Sequence, residues 1–159
     1  AGENRFDSFL FMHTIGRPVE TAIQFAGLLY GGVAEKFPDL RIGFLECGAG
    51  WVPYWMERMD EEWEKRGAVE APLCKNKPSD YVVNGNWFFA AEPDESMLPY
   101  AIERLGEDKL LFASDYPHWD GHFPNVVSTI RERTDISDGA KRKLLGGNAK
   151  RFYGWDDEE

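Results

Sequence analysis

Lys109-Leu110-Leu111-Phe112-Ala113-Ser114-Asp115-Tyr116-Pro117-His118-Trp119-Asp120 is the stretch on which the fold turns. Its first residues read as a short strand buried on both faces, as in a parallel sheet, and the apolar run then gives way to an acid, a histidine and a second acid. Open α/β sheets and barrels place their chemistry just past the carboxyl ends of parallel strands. Asp115 falls at such an end.

Two further strands are expected upstream. Asn86-Trp87-Phe88-Phe89-Ala90-Ala91 is rich in aromatic β-formers. Arg41-Ile42-Gly43-Phe44-Leu45-Glu46-Cys47 follows the turn at Asp39-Leu40, and a period of two places Ile42, Phe44 and Glu46 on one face. Between and after the strands the apolar spacing is helical. Pro18 marks a helix start, and Val19, Ile23, Ala26, Tyr30, Val33 and Phe37 form its expected buried stripe. A second helix has Pro53 in its first turn and Val52, Trp55, Met56, Met59 and Trp63 along one stripe. A third carries Leu98, Ala101, Ile102 and Leu105, with Ser96 as N-cap and Gly106 as terminator. Helical stretches follow around 124–132 and from Gly139 to Phe152, interrupted at Gly146-Gly147. Helices alternating with strands imply βα units and a parallel sheet. Three strands alone leave two edges with unpaired backbone groups, which proteins cover or close.

Composition narrows the function. With 159 residues, 43% hydrophobic, the chain has enough apolar surface for one substantial core. The 28 acidic against 18 basic residues give a net charge of −10, which disfavours nucleic acid and anionic membrane, since both need clustered cations. Cys47 and Cys74 have no metal-ligand or redox spacing and read as free thiols in a reducing compartment. No apolar run reaches the ~18 residues that span a bilayer. The amino end lacks a signal peptide's basic-then-apolar pattern, so the chain reads as cytoplasmic. The terminal Asp156-Asp157-Glu158-Glu159 reads as a solvated, disordered tail.

The candidate chemistry sits at the strand ends. Asp115 and Glu46 are each placed to act as metal ligand or general base. Each also has a structural reading, Asp115 as a cap of the Tyr116-Pro117 turn and Glu46 as the partner of a buried base. His118, three residues past Asp115, is suited to carry a proton at neutral pH, or to hydrogen-bond the loop. His13 and His122 each stand alone and are weaker candidates. Gly48-Ala49-Gly50 and Gly31-Gly32 match neither the dinucleotide nor the P-loop spacing and read as tight turns. No Gly-x-Ser-x-Gly elbow occurs, and neither cysteine has a histidine near it in sequence, so nucleophilic catalysis has no support.

Four blocks carry a resemblance. They are Gly31-Gly32-Val33-Ala34-Glu35-Lys36-Phe37-Pro38-Asp39-Leu40-Arg41, Phe44-Leu45-Glu46-Cys47-Gly48-Ala49-Gly50-Trp51-Val52-Pro53, Leu111-Phe112-Ala113-Ser114-Asp115-Tyr116-Pro117-His118 and Gly147-Asn148-Ala149-Lys150-Arg151-Phe152-Tyr153-Gly154. In this order they resemble the metal-dependent amidohydrolase-related family, in the branch similar to aminocarboxymuconate-semialdehyde decarboxylase. The resemblance implies an α/β fold, a TIM-type (β/α)₈ barrel. It also implies a divalent metal, commonly zinc, held by a His-x-His on the first strand, usually a histidine on the fifth, and an aspartate on the eighth. Asp115 matches that aspartate. Glu46 falls at the end of the sixth strand, where many relatives have a histidine, and His118 is an active-site neighbour in the same block as Asp115.

The chain contains no His-x-His, and a complete barrel takes about 250 residues. The blocks correspond to the family's carboxyl-terminal half, roughly strands six to eight with their helices, so residues 1–155 are expected to form a partial barrel. His13 then lies in the loop after the fifth strand and is not assigned as a ligand. The expected function is a metal-dependent hydrolase or non-oxidative decarboxylase of a small carboxylated or aromatic substrate, active only with the missing amino-terminal half. The chain alone would bind metal weakly. The alternative is a non-catalytic half-barrel that self-associates or binds a partner. A homo-oligomer is expected from the open edges, with eight strands in two copies if residues 5–12 supplied a fourth strand.

Overall fold

The computed structural model of the chain describes residues 5–155. The tail expected to be disordered, 156–159, lies outside them, as do residues 1–4. The chain divides into two compact units, one made of residues up to Leu40 together with Trp55–Gly85, the other of Arg41–Tyr54 and the chain from Asn86 onward.

The second unit holds the sheet. Strands β1 (Ile42–Phe44), β2 (Trp87–Ala90) and β3 (Leu110–Leu111) are parallel, in the order β1-β2-β3. Ile42 pairs with Trp87, Phe44 with Phe89, and Phe89 with Leu110. All four residues of β2 are buried, as a central parallel strand covered on both faces requires. Its side chains alternate. Trp87 and Phe89 stack on Phe44 with ring centroids 5.8 and 5.4 Å apart, and Trp51 meets Phe44 and Phe89 edge-on. Phe88 points the other way, edge-on to Phe152 at 5.2 Å.

Around the sheet lie α5 (Leu98–Leu105), α6 (Val126–Glu132), α7 (Asp138–Arg142) and α8 (Asn148–Tyr153). The break expected at Gly146-Gly147 is a kink at Gly146, whose φ of 159° leaves the helical region. Asn148, 2% exposed, donates from Nδ2 to the carbonyls of Glu107 and Leu110, both at 2.7 Å, and so ties the kink to the entry of β3. Ser96 is not the cap of α5. The Leu98 N–H bonds the Glu95 carbonyl, so Ser96 lies within a turn and Met97 holds the N-cap position without a side-chain bond.

Two strands are shorter than the sequence suggests. Strand β3 ends at Leu111, short of Phe112 and Ala113 in the same apolar run, and β1 ends at Phe44. Glu46 takes a left-handed φ of 66°, so it leaves the period-two row shared by Ile42 and Phe44. The β1 to β2 connection begins at Gly48-Ala49-Gly50 and enters helix α3 (Val52–Glu70), with Pro53 in its first turn as expected.

The other unit is helical, with α1 (Phe9–Tyr30), α2 (Val33–Lys36), the body of α3 and α4 (Pro78–Asn84), an element not expected from the sequence. Helix α1 begins nine residues before Pro18, where the Ser8 hydroxyl accepts from the Phe11 N–H. Pro18 sits inside it, tolerated although it withholds one backbone donor. Residues 9–12 are therefore helical, which removes the fourth strand on which an eight-stranded dimer depended. The buried stripe is also rotated. Ala22, Phe25 and Leu29 are buried while Val19 and Ile23 are exposed, because apolar residues occupy more than one face of α1 and periodicity alone cannot choose between them. The Tyr30 hydroxyl donates to the Met59 carbonyl at 2.8 Å and Trp63 Nε1 to the Cys74 carbonyl at 2.8 Å. Burial pushes the Tyr30 hydroxyl up to about 12. No helix among the described residues is long and apolar enough to cross a membrane.

Candidate functional site

Because β1, β2 and β3 are parallel and adjacent, their carboxyl ends open on one edge of the sheet. The residues that follow them are Glu46 after β1, Glu92 after β2 and Asp115 after β3. Asp115, like Glu46, is left-handed, with φ 53°. A non-glycine residue held there costs roughly 1–3 kcal/mol and persists only where surrounding bonds fix it. Asp115 and His118 supply such bonds. The His118 N–H donates to the Asp115 carbonyl at 2.8 Å, and His118 Nδ1 lies 2.6 Å from Asp115 Oδ1.

This second bond sets the charge on the imidazole. The hydrogen bond to Asp115, then its negative charge, with smaller contributions from Asp120 and Glu46, hold His118 above the usual histidine range. Both side chains are reachable from solvent, that of Asp115 35% exposed and that of His118 58%. The structure thus brings Asp115 and His118 into direct contact, while Glu46 reaches His118 through its field.

Glu92 was not singled out from the sequence. Its carboxyl is pushed above the usual carboxylate range by desolvation and by the negative charges of Glu95, Asp115 and Asp94, against the opposing pull of His122. The residue as a whole stays open to solvent. His122 enters the same neighbourhood, with Nε2 3.4 Å from Asp94 Oδ1. Its position just after the Asp115 loop was the only sequence signal for it, whereas Glu92 carried a clear one, an acid directly after an aromatic strand. His13, expected in a loop, lies instead within α1.

Beside the Asp115 loop a cleft of about 490 Å³ is lined by Phe112, Ala113, Tyr116, Phe123, Pro124 and Val126, among others. The Tyr116 and Phe123 rings in its lining stand 4.7 Å apart. Among the described residues, no group of three or more His, Cys, Asp or Glu side chains is placed to hold a metal ion. Asp115 offers one carboxylate donor at this edge.

Comparison with known proteins gives the family. The amidohydrolase family model matches residues 5–155. A 2-amino-3-carboxymuconate-6-semialdehyde decarboxylase of Dictyostelium discoideum is 28% identical over 157 residues, which is 98% of this chain and 42% of that protein. A gamma-resorcylate decarboxylase of Polaromonas is 31% identical over 140 residues, 84% of this chain and 40% of that one. Among solved structures, a dihydroxybenzoic acid decarboxylase from Polaromonas, with bound manganese and the inhibitor 2-nitroresorcinol, superposes with a TM-score of 0.66 at 27% identity. That match covers 85% of this chain and 40% of the other. The chain therefore spans about two fifths of the length of the relatives it matches. A family match across the whole described chain, relatives at 28 and 31% identity and a shared fold converge on one conclusion: the chain belongs to the amidohydrolase family.

Proposed function

We propose that this chain is the carboxyl-terminal part of an amidohydrolase-type (β/α)₈ barrel, with residues 1–155 supplying roughly its sixth to eighth strands, and that the complete enzyme decarboxylates a small aromatic or otherwise unsaturated carboxylate without oxidation. The observation that carries this reading is the Asp115–His118 pair at the carboxyl end of β3, in a chain whose relatives are decarboxylases of such acids. In the reaction the bond to the carboxylate breaks, its electron pair stays on the carbon, and a proton must arrive there. His118 is the proton carrier, held in place by Asp115. Glu46, past the end of β1 on the other side of β2, faces substrate or water.

The complete enzyme takes a divalent metal, which polarises the substrate when bound. Manganese, present in the solved relative, joins zinc as a candidate. Asp115 is the ligand this chain contributes, and the remaining donors come from the rest of the barrel. Assaying the intact enzyme for CO₂ release from gamma-resorcylate and from aminocarboxymuconate semialdehyde tests this. Asp115→Asn is expected to abolish turnover while preserving circular dichroism, and unchanged turnover would overturn the assignment. Metal analysis of the purified chain is expected to show little retained metal after dialysis, whereas stoichiometric retention would refute the incomplete donor set.

A second reading is a non-catalytic chain that self-associates. It is favoured by the exposed stripe Phe11, Ile15, Val19 and Ile23 on α1, and by β1 and β3, which each pair on one side only within the described sheet. Sedimentation distinguishes it: a concentration-independent monomer would exclude it.

A further inference from the structure

The Gly48-Ala49-Gly50 turn, which matches no phosphate-binding motif, holds an anion of the protein's own. The Glu95 carboxylate accepts from the Ala49 N–H at 3.1 and 3.0 Å and from the Gly50 N–H at 2.6 Å. Successive backbone N–H groups in a left-handed turn form such a concave anion cradle. Glycine is required on both sides. A Cβ on Gly48 would come within 2.9 Å of Glu95 Oε1, and one on Gly50 within 2.5 Å of the Met97 Cβ and 2.8 Å of Glu95 Oε1. Residues far apart in the chain are thereby joined, since Glu95 follows β2 and the cradle follows β1.

The turn bearing Glu95 is itself fixed from two other places. Arg133, its side chain only 10% exposed, donates from Nη1 to the Pro93 carbonyl at 3.0 Å and from Nη2 to the Glu95 carbonyl at 2.9 Å. Asp135 holds the same guanidinium with both oxygens, at 3.0 and 2.7 Å. From the loop after β3, His122 meets Asp94. The four-residue turn Glu92-Pro93-Asp94-Glu95 thus has bonds to the loop carrying Glu46, to the loop carrying Asp115 and to the segment after α6.

We propose that this turn is the positioning hub of the strand-end site, and that Glu95 is a positioning residue whose carboxylate, by filling the Gly48–Gly50 cradle, sets the left-handed path of the Glu46 loop relative to the loops after β2 and β3. Its relevance to catalysis rests on the reading of Glu46 and Asp115 as site residues, but the linkage itself is measurable without turnover. Charge-assisted bonds to backbone N–H groups are the strong ones in such a network, and Arg133 presents its donors in a rigid fork suited to two carbonyls and a carboxylate at once.

Amide hydrogen exchange, resolved by NMR on the chain as it stands, tests the hub. In Glu95→Ala, exchange at Ala49 and Gly50 is expected to accelerate about tenfold or more, with Phe88 and Phe89 in β2 unchanged. Added formate, which fits the vacated carboxylate position, is expected to slow those two amides again in the variant and to leave the wild type unaffected. Arg133→Met, which touches neither amide, is expected to accelerate the same pair through the turn. Unchanged exchange at Ala49 and Gly50, or acceleration spread equally through β2 and indifferent to formate, would overturn the proposal. If Glu95→Ala does not fold, Glu95→Gln decides it: one retained acceptor predicts a smaller acceleration at the same two amides, and none would refute the role. Because the readout is exchange, an inactive or differently active enzyme would challenge the proposed function and leave this result standing.

Discussion

Replacing Asn148 by Ala should destabilise the sheet unit by about 2–4 kcal/mol, and the structure sets the size of that effect. Asn148 is buried and gives both protons of its amide to main-chain carbonyls, of Glu107 and Leu110, at 2.7 Å each. Two such bonds contribute about 1 kcal/mol apiece net, and removing the donor leaves the buried Leu110 carbonyl without this partner, a further penalty of about 1–2 kcal/mol. Alanine's better helix propensity at the start of α8 returns a few tenths of a kcal/mol. Asn148→Asp should cost more, since a carboxylate would then face two carbonyl oxygens with no proton to offer. With a urea m-value of roughly 2–3 kcal/mol/M for a chain of this size, the alanine variant's midpoint should fall by about 1–2 M. Urea titration followed by far-UV circular dichroism and tryptophan fluorescence measures it. A midpoint shift below about 0.2 M would show that the Asn148 bonds are replaced by solvent, and that the kink at Gly146 does not anchor β3.

Other consequences are as specific. His118 should titrate above its ordinary value in an NMR pH series and move back toward it in Asp115→Asn, because the Asp115 hydrogen bond is the leading cause of its shift. With the folded value raised, the pair's contribution to stability is complete below the unfolded value of about 6.5 and is lost as pH rises through the folded value; a variant titrating like wild type would refute the coupling. Gly48→Ala should destabilise by about 1–3 kcal/mol, read from thermal unfolding, since its φ of 65° is left-handed and the new Cβ meets Glu95. Burial pushes the Cys74 thiol up to about 11. At pH 8 only about a thousandth is thiolate, so Cys47, which is partly exposed, should react with a thiol reagent first and Cys74 only on unfolding.

The parts of the fold legible in the sequence are those governed by neighbours. The aromatic run at Trp87–Ala90, the proline in the first turn of α3, the interruption at Gly146 and the alternation of strand with helix all follow from local sterics and periodicity, and each is present. Pro18 misled because a helix tolerates an internal proline once its other bonds are in place. The face of α1 misled because apolar residues surround it, so the choice belongs to what packs against the helix. The strand-end rule picked out Asp115 and His118 as candidates from the sequence alone, and the structure brings the two into contact. Only the tertiary structure could show that the 92–95 turn is joined to three other segments: Glu95 meets Gly50 across 45 residues, and Arg133 meets Glu95 across 38. Periodicity and turn chemistry report on a few adjacent residues. A carboxylate seated in a backbone cradle half a sheet away depends on parallel register, which is decided when the strands pair.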